Sequence, residues 1–289
     1  MKRGRRLVKR IAVITHRRSE VTNSALREIL AMCRELGIEA VIPREEAEKS
    51  SLSAGEATVV PDLRREQVDF CVALGGDGTI LRAFSRFQDM ETPVLGINFG
   101  RIGFLSGMAP AEIGERLREV LRGNYGFMDL TLLRLVHGGT CDMAVNDVVV
   151  HKPGGGTSIR IGYAIGGLRM DSFSCDGMVV STAAGSTAYN LSNGGPVASL
   201  DLDVLIVSAI APHTLRFRPL VLGGGGDVEI FNQALGSSAS ICVDGRICAQ
   251  LPPGESLTVS ISDRKAKLVR VPGVDFYRVL RDKFINPPT

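Results

Sequence analysis

The chain has 289 residues, 44% of them hydrophobic, with 34 Lys and Arg against 31 Asp and Glu and a formal charge of +3. That length suits one large domain or two ordinary ones with a sizeable core. The balanced charge argues against a polycation built for nucleic acid, and no run approaches the roughly 20 apolar residues of a membrane span. The basic start, MKRGRRLVKR, reads as a solvated tail, and Lys9 and Arg10 break any secretory apolar stretch. Arg10 to Thr15 reads as a buried strand. The next segment is a helix entered at Thr22 or Asn23, with Leu26, Ile29, Leu30, Cys33 and Leu36 on one face and Gly37 as its stop. Ile38 to Ile42 is a second strand, and the polar stretch 44–66 a loop or short helix. A strand ends at Leu74, a helix runs through Leu81, Phe84 and Phe87, a strand covers Val94 to Ile97, and a helix covers Ala111 to Leu121. Strand–helix alternation at this spacing predicts a parallel sheet with helices on both faces over residues 1–125.

Past residue 125 the helical period fades. Short β-branched runs separated by glycines predict strands at Val145 to His151, Ile159 to Ile165, Met178 to Ser181, Val204 to Ile210, Val228 to Phe231, Ile241 to Val243, Leu257 to Ile261 and Lys267 to Val271. They predict a mainly-β, sandwich-like second domain over 126–272. The tail, 273–289, turns helical again from Asp275 to Phe284 and is expected to pack back on the first domain. Glycine clusters at Gly154 to Gly156 and Gly223 to Gly226 read as turns. Six scattered cysteines form no CxxC pair and four histidines show no zinc spacing, so no structural metal is expected and a reduced, cytoplasmic protein is.

Four stretches carry polar residues in apolar or glycine-rich settings. In LGGDGT, residues 74–79, Asp77 sits among Gly75, Gly76 and Gly78 before Thr79, at the end of a predicted strand and the start of a helix. A tight turn accounts for the glycines. Glycines there also let backbone N–H groups approach phosphate oxygens, while an acid in the same place repels phosphate unless it has a task such as accepting a hydroxyl proton or holding Mg²⁺. The loop lacks the P-loop lysine and does not match GxGxxG. Asn98 to Leu105, NFGRIGFL, follows the next strand; Asn146-Asp147 interrupts an apolar run; and Asp176 to Pro196 is dense in Ser, Thr and Gly around Tyr189. The plain readings are a glycine loop, a strand end, and a helix start capped by Ser186 or Thr187.

Taken together in this order, the four stretches resemble the NAD kinase family, as do His213 to Pro219 and Val243 to Arg246. LGGDGT alone is shared with diacylglycerol-type lipid kinases and 6-phosphofructokinases; the other stretches are far more specific. The resemblance implies an α/β domain joined to a β-sandwich, with the active site in the cleft between them. It implies phosphorylation of the adenosine-ribose 2′-hydroxyl of NAD by ATP with Mg²⁺, giving NADP, in a homodimer or homotetramer. By the same resemblance Asp77 is the general base, and Gly75, Gly76, Gly78 and Thr79 form the phosphate loop. Asn98, Phe104, Asn146, Asp147, Asp176, Thr187, Ala188, Tyr189 and Ser192 belong to the nucleotide site, Phe104 bordering the adenine and ribose pocket. Departures from the family pattern fall around that pocket: Ser174 and Cys175 before Asp176, Ala183-Ala184, Asn193, and Asp147 where Glu is more frequent. A lipid kinase and a catalytically silent NAD(P)-binding sensor are the competing readings.

Overall fold

The computed structural model describes residues 2–4, 7–87, 90–100, 103–154, 158–271 and 276–285. Arg101 and Ile102 of NFGRIGFL, Gly155 and Gly156 of the glycine cluster, and Asp275 in the tail lie outside these residues. Contacts divide the chain into two units, Met1–Asp129 with Ala266–Thr289, and Leu130–Lys265.

The first unit opens with β1 (Lys2–Gly4), β2 (Arg10–Thr15), α1 (Asn23–Glu35), β3 (Glu39–Pro43), α2 (Arg44–Lys49) and β4 (Thr58–Val60). β5 (Phe70–Leu74), α3 (Asp77–Ser85) and β6 (Val94–Ile97) follow. Residues 110–121 then run through a 3-10 turn and a π-helical turn into α4 (Arg118–Leu121), where the sequence predicts one plain helix. α1 stops where glycine allows a left-handed residue: Gly37 has φ +69°, its N–H reaches Arg34 O, and Ile38 N–H reaches Cys33 O at 2.8 Å. Its apolar stripe, Leu26, Ile29, Leu30 and Cys33, packs with Ile11, Val13, Phe70 and Val72 of the sheet. α3 buries Ile80, Ala83 and Phe84 outside that cluster.

The five strands lie in the order β6-β5-β2-β3-β4, every pair parallel. From β2 the chain moves one way to β3 and β4, then returns to the other side of β2 for β5. Strand order therefore reverses between β2 and β5, whose last residues, Thr15 and Leu74, are register partners. The crevice at such a reversal, beyond the carboxyl ends of the strands, is where open α/β sheets take ligands. LGGDGT begins at that point.

The second unit is built on antiparallel strand pairs. Its strands are β7 (Tyr125–His137, from Leu130 onward), β8 (Thr140–Ala144), β9 (Asp147–His151), β10 (Ile159–Ile165), β11 (Leu168–Cys175) and β12 (Gly177–Ser181). After the one-turn helix α5 (Tyr189–Ser192) come β13 (Val204–Ile210), β14 (Leu220–Gly223), β15 (Val228–Asn232), β16 (Ala239–Val243), β17 (Arg246–Leu251) and β18 (Ser256–Arg270). One sheet runs β14-β13-β12-β9-β16-β17, and β11-β10-β15-β18 form a second. Alternate residues meet between them: Val148, Val150, Met178, Val180, Val207 and Ile241 share one core with Ile161, Tyr163, Phe173, Ile230, Leu257 and Val259. The last residues of β18 belong to the first unit, where Leu268 pairs in parallel with Val94 of β6 and Val269 and Val271 enter the core. α6 (Phe276–Phe284) closes the described chain. The two strands expected at 257–261 and 267–271 are thus one 15-residue strand. Gly223 to Gly226 does not close a hairpin, because β14 pairs with β13 and β15 with β10 and β18.

Candidate active site

The residues singled out by the sequence fall into two groups, one in each unit. In the first, Gly75 N–H donates to Ile97 O at 2.9 Å, tying the loop to the neighbouring strand. A Cβ on Gly75 would lie 2.2 Å from Thr79 Oγ1, so glycine is required for Thr79 to fold back there. Gly76 leads into α3, and its carbonyl accepts the N–H of Thr79 at 2.8 Å and of Ile80 at 3.3 Å. Asp77 is the first helical residue, at the positive end of the helix dipole. Its carboxylate accepts two backbone N–H groups from the loop after β6: Phe104 at 2.9 Å on Oδ2 and Leu105 at 3.3 Å on Oδ1. Among the described residues, nothing beyond the adjoining chain lies within 4 Å of where a Cβ would stand on Gly76 or Gly78, so the backbone here is open to close approach.

Gly103 is what lets these two loops meet. A Cβ there would stand 1.9 Å from Asp77 Oδ1 and 2.6 Å from its Cγ. Gly103→Ala must push the carboxylate or the loop aside by about 1 Å, a displacement that can cost roughly 10²-fold in rate. The expected outcome is a folded variant whose kcat falls by about that factor; turnover within threefold of the native chain would show that the Asp77 position is not critical.

Asn98 fastens the same loop. Its Nδ2 donates to Gly100 O at 3.0 Å, and its Oδ1 accepts Gly100 N–H at 3.3 Å. The Phe104 ring, which the resemblance puts beside the dinucleotide, packs here against α6. Phe276 and Phe284 lie at centroid distances of 5.7 and 6.1 Å, and Lys283 Nζ sits 4.5 Å from its centre. At the strand-order reversal, the carboxylate of Glu46, only 3% exposed, accepts Thr15 Oγ1 at 2.6 Å, Lys49 Nζ at 2.6 Å, Thr15 N–H at 3.1 Å and an Arg82 guanidinium nitrogen at 3.3 Å. Arg82 also donates to Thr15 O, so α3 is bolted to the end of β2.

In the second unit the Asn146-Asp147 pair enters β9. Three consecutive N–H groups, of Val145, Asn146 and Asp147, donate to the Asp244 carboxylate at 2.9, 2.7 and 3.2 Å. Thr182 Oγ1 donates to Val145 O at 2.7 Å and accepts Gly185 N–H at 3.0 Å. A Cβ on Gly185 would lie 2.0 Å from Asn146 O, so GSTAY can approach the pair only with glycine at its head. The Oδ1 of Asn146 is buried and, among the described residues, accepts no hydrogen bond. Asp176 pairs with Lys152 at 2.7 Å. Ser186 and Thr187 do not cap a helix: their hydroxyls bond back to Ala183 O and Ala184 O within a 3-10 turn, and α5 has only four residues. Tyr189 is 43% exposed, Ser192 is exposed, and Ala188 is half-buried. Burial pushes the Cys175 thiol up to about 11, the behaviour of an inert core cysteine.

Burial, and then the charge of Asp244, push the Asp147 carboxyl up to about 7. Folding therefore favours its protonated form, and its stabilising contribution is complete below the unfolded value near 3.8 and lost as pH rises towards about 7. The urea midpoint of the native chain is expected to fall over that range more steeply than that of Asp147→Asn. Parallel pH dependences would contradict the shift.

Sequence reasoning passed over Glu46, Thr182, Gly185 and Asn190 as site-building residues and took Asp244 only as part of a signature. Glu46 lies in an unpatterned polar stretch, where nothing marks a buried carboxylate. Asp244 and Gly245 form the turn between β16 and β17, and nothing in so common a turn dipeptide marks its carboxylate as a partner of a distant strand. Asn190 is fully buried, donating to Ser186 O and Pro196 O at 3.1 Å each. Among the described residues no three His, Cys, Asp or Glu side chains converge as a metal site.

Residues 7–125 match the ATP-NAD kinase N-terminal domain and residues 145–271 the ATP-NAD kinase C-terminal domain. The chain belongs to the ATP-NAD kinase family. The N-terminal match contains the whole Asp77 loop assembly, and the C-terminal match begins on the segment that Asp244 holds. NAD kinase from Rhodopirellula baltica is 34% identical over 239 residues, 81% of this chain and 77% of the relative. NAD kinase from Bifidobacterium longum is 33% identical over 283 residues, 95% of this chain and 81% of the relative. Among solved structures, an Archaeoglobus fulgidus NAD kinase in complex with ATP superposes with a TM-score of 0.75 at 25% identity, covering 95% of this chain and 98% of that one. Yeast NADH kinase complexed with NADH superposes with a TM-score of 0.85 at 21% identity, covering 98% and 89%, a likeness of fold. Among the described residues no helix is long and apolar enough to cross a membrane.

Proposed function

We propose that this NAD kinase transfers the γ-phosphoryl group of MgATP to the 2′-hydroxyl of the adenosine ribose of NAD, releasing ADP and forming NADP. The ribose hydroxyl is a weak nucleophile at neutral pH. Asp77 takes its proton as the oxygen attacks phosphorus, assistance typically worth about 10²–10⁴-fold. The observation that carries this role is the state of its carboxylate. Two backbone N–H groups fix it, yet a carboxylate has roughly four acceptor positions, so acceptor capacity remains for a substrate proton. The open backbone at Gly76 and Gly78, at the start of α3, suits phosphate oxygens. Mg²⁺ enters with ATP as part of that substrate and neutralises the transferring charge.

Asn146 and Asp147 serve the dinucleotide. The unpartnered Oδ1 of Asn146 is an acceptor that costs about 1–3 kcal/mol to leave unpaired, and a hydroxyl or amide of NAD relieves that cost. Asp176, Thr187, Ala188, Tyr189 and Ser192 belong to the same nucleotide reading, with the half-exposed Tyr189 ring offering a stacking face. The proposal extends to a cytoplasmic homodimer or homotetramer. The test is to mix the chain with NAD, ATP and Mg²⁺ and follow NADP with an NADP-specific dehydrogenase. NADP is expected. Its absence, with diacylglycerol phosphorylated in vesicles instead, would move the assignment to a lipid kinase.

A further inference from the structure

Asp244 and Gly245 form the two-residue turn between β16 and β17, with Val243 facing Arg246 across it and both turn residues at positive φ, +46° and +75°. Asn-Gly fits such a turn at least as well as Asp-Gly, so the turn itself asks for no carboxylate. The carboxylate is nevertheless half-buried, and it is aimed across the sheet at the strand entry that carries Asn146 and Asp147. The attachment is mutual, because Asp244 N–H donates to Asp147 O at 3.0 Å. Burying an acid in this way is costly without compensation, and three N–H donors supply it.

We propose that Asp244 is a positioning residue for the dinucleotide: by gathering the N–H groups of Val145, Asn146 and Asp147 it fixes the backbone from which the two NAD-contacting side chains project. This rests on the reading of Asn146 and Asp147 given above. The backbone of Asn146 is held from both sides, by Asp244 on its N–H and by Thr182 N–H on its carbonyl at 2.9 Å. Gly185 closes over the same carbonyl. The side chain, by contrast, keeps its Oδ1 unpartnered. A backbone pinned at every polar atom beneath a side chain left unpaired is the arrangement expected of a preorganised ligand contact. The charge of Asp244 acts in the same place, since it helps hold the proton on Asp147. The other titratable groups bearing on the pair are Asp142, which is joined to Arg246 at 3.3 Å, and Cys242.

The test uses Asp244→Asn and Asp244→Gly, both compatible with the turn, in the full chain. Thermal melts confirm folding, and calorimetry measures NAD binding without ATP across pH. In both variants the Kd for NAD is expected to rise by roughly tenfold or more while that for MgATP is unchanged, the size of effect that loss of charged hydrogen bonds brings. An inflection from Asp147 is expected near pH 7 in the NAD titration of the native chain, and at lower pH once the neighbouring charge is gone. A merely structural turn residue would weaken NAD and MgATP binding together. Native NAD affinity in both variants overturns the proposal, wherever the inflection lies. Asn146→Ala and Asp147→Asn separate the two levels. If these bind NAD normally, the dinucleotide reading fails and the positioning role falls with it. If they lose binding while both Asp244 variants keep it, the positioning role alone is overturned.

Discussion

Asp77→Asn is expected to lower kcat by about 10²–10⁴-fold while the Kd for NAD stays within a few-fold of native. The substitution keeps the size of the side chain and removes its capacity to accept a proton. One complication is visible in the structure. An amide presents one oxygen and one NH₂ group, so only one of the Phe104 and Leu105 N–H groups keeps an acceptor. Some loss could then reflect a loosened loop. Asp77→Glu separates the causes: it keeps a carboxylate that can accept both N–H groups and a proton, so it is expected to recover part of the rate that Asn loses. An Asp77→Asn chain with more than a tenth of native turnover would end the general-base assignment.

Glu46→Ala has the largest expected effect on stability. It leaves Lys49 and Arg82, each about one quarter exposed, facing a partly buried space without their anion, and strips Thr15 of the nearer acceptor for its hydroxyl, leaving His16 O at 3.5 Å. Breaking a buried ion pair from one side costs about 3–5 kcal/mol, and the partial exposure of both cations places this case near the lower end. Urea denaturation should show a loss of about 3 kcal/mol. Glu46→Gln should lose less, because an amide oxygen still accepts from Thr15. A loss below about 1 kcal/mol for the alanine variant would mean that the two cations find other partners. Because Arg82 lies on the helix that Asp77 begins, the alanine variant should also show a lower kcat.

Much of the first unit was legible because each of its signals is local. Buried strands such as Phe70–Leu74 are unbroken apolar runs, and α1 carries a clean stripe closed by Gly37. What escaped was mostly short, exposed or irregular, together with β7, a long and largely buried strand that runs across the expected boundary near residue 125. β4 has three residues at the sheet edge, and β11 and β17 are edge strands with half or more of their residues exposed, so neither shows the unbroken apolar run of a buried strand. The π-helical turn inside 110–121 leaves no trace in an apolar pattern. At the site, Asp77 and the Asn146-Asp147 pair stood out because they are polar residues in apolar or glycine surroundings. Their partners did not, since those lie far along the chain: Asp77 is held 27 residues on, and Asn146 by Asp244, 98 residues on. Glycines 103 and 185 look like ordinary loop residues until the atoms they make room for are in place.

β18 bears on the order in which the protein is made. The first unit takes its edge strand and the core residues Val269 and Val271 from a segment synthesised after the entire second unit. A nascent chain that has emerged only to residue 129 covers the far end of β6, where Gly107 N–H donates to Gly96 O and Asn98 N–H to Met108 O, but leaves Val94 without Leu268, an open stretch of strand edge of the kind that pairs with other chains. The unit that is first in sequence is therefore last to be completed on the ribosome. A fragment ending at 129 should aggregate, and supplying residues 266–285 as a separate peptide should restore its solubility.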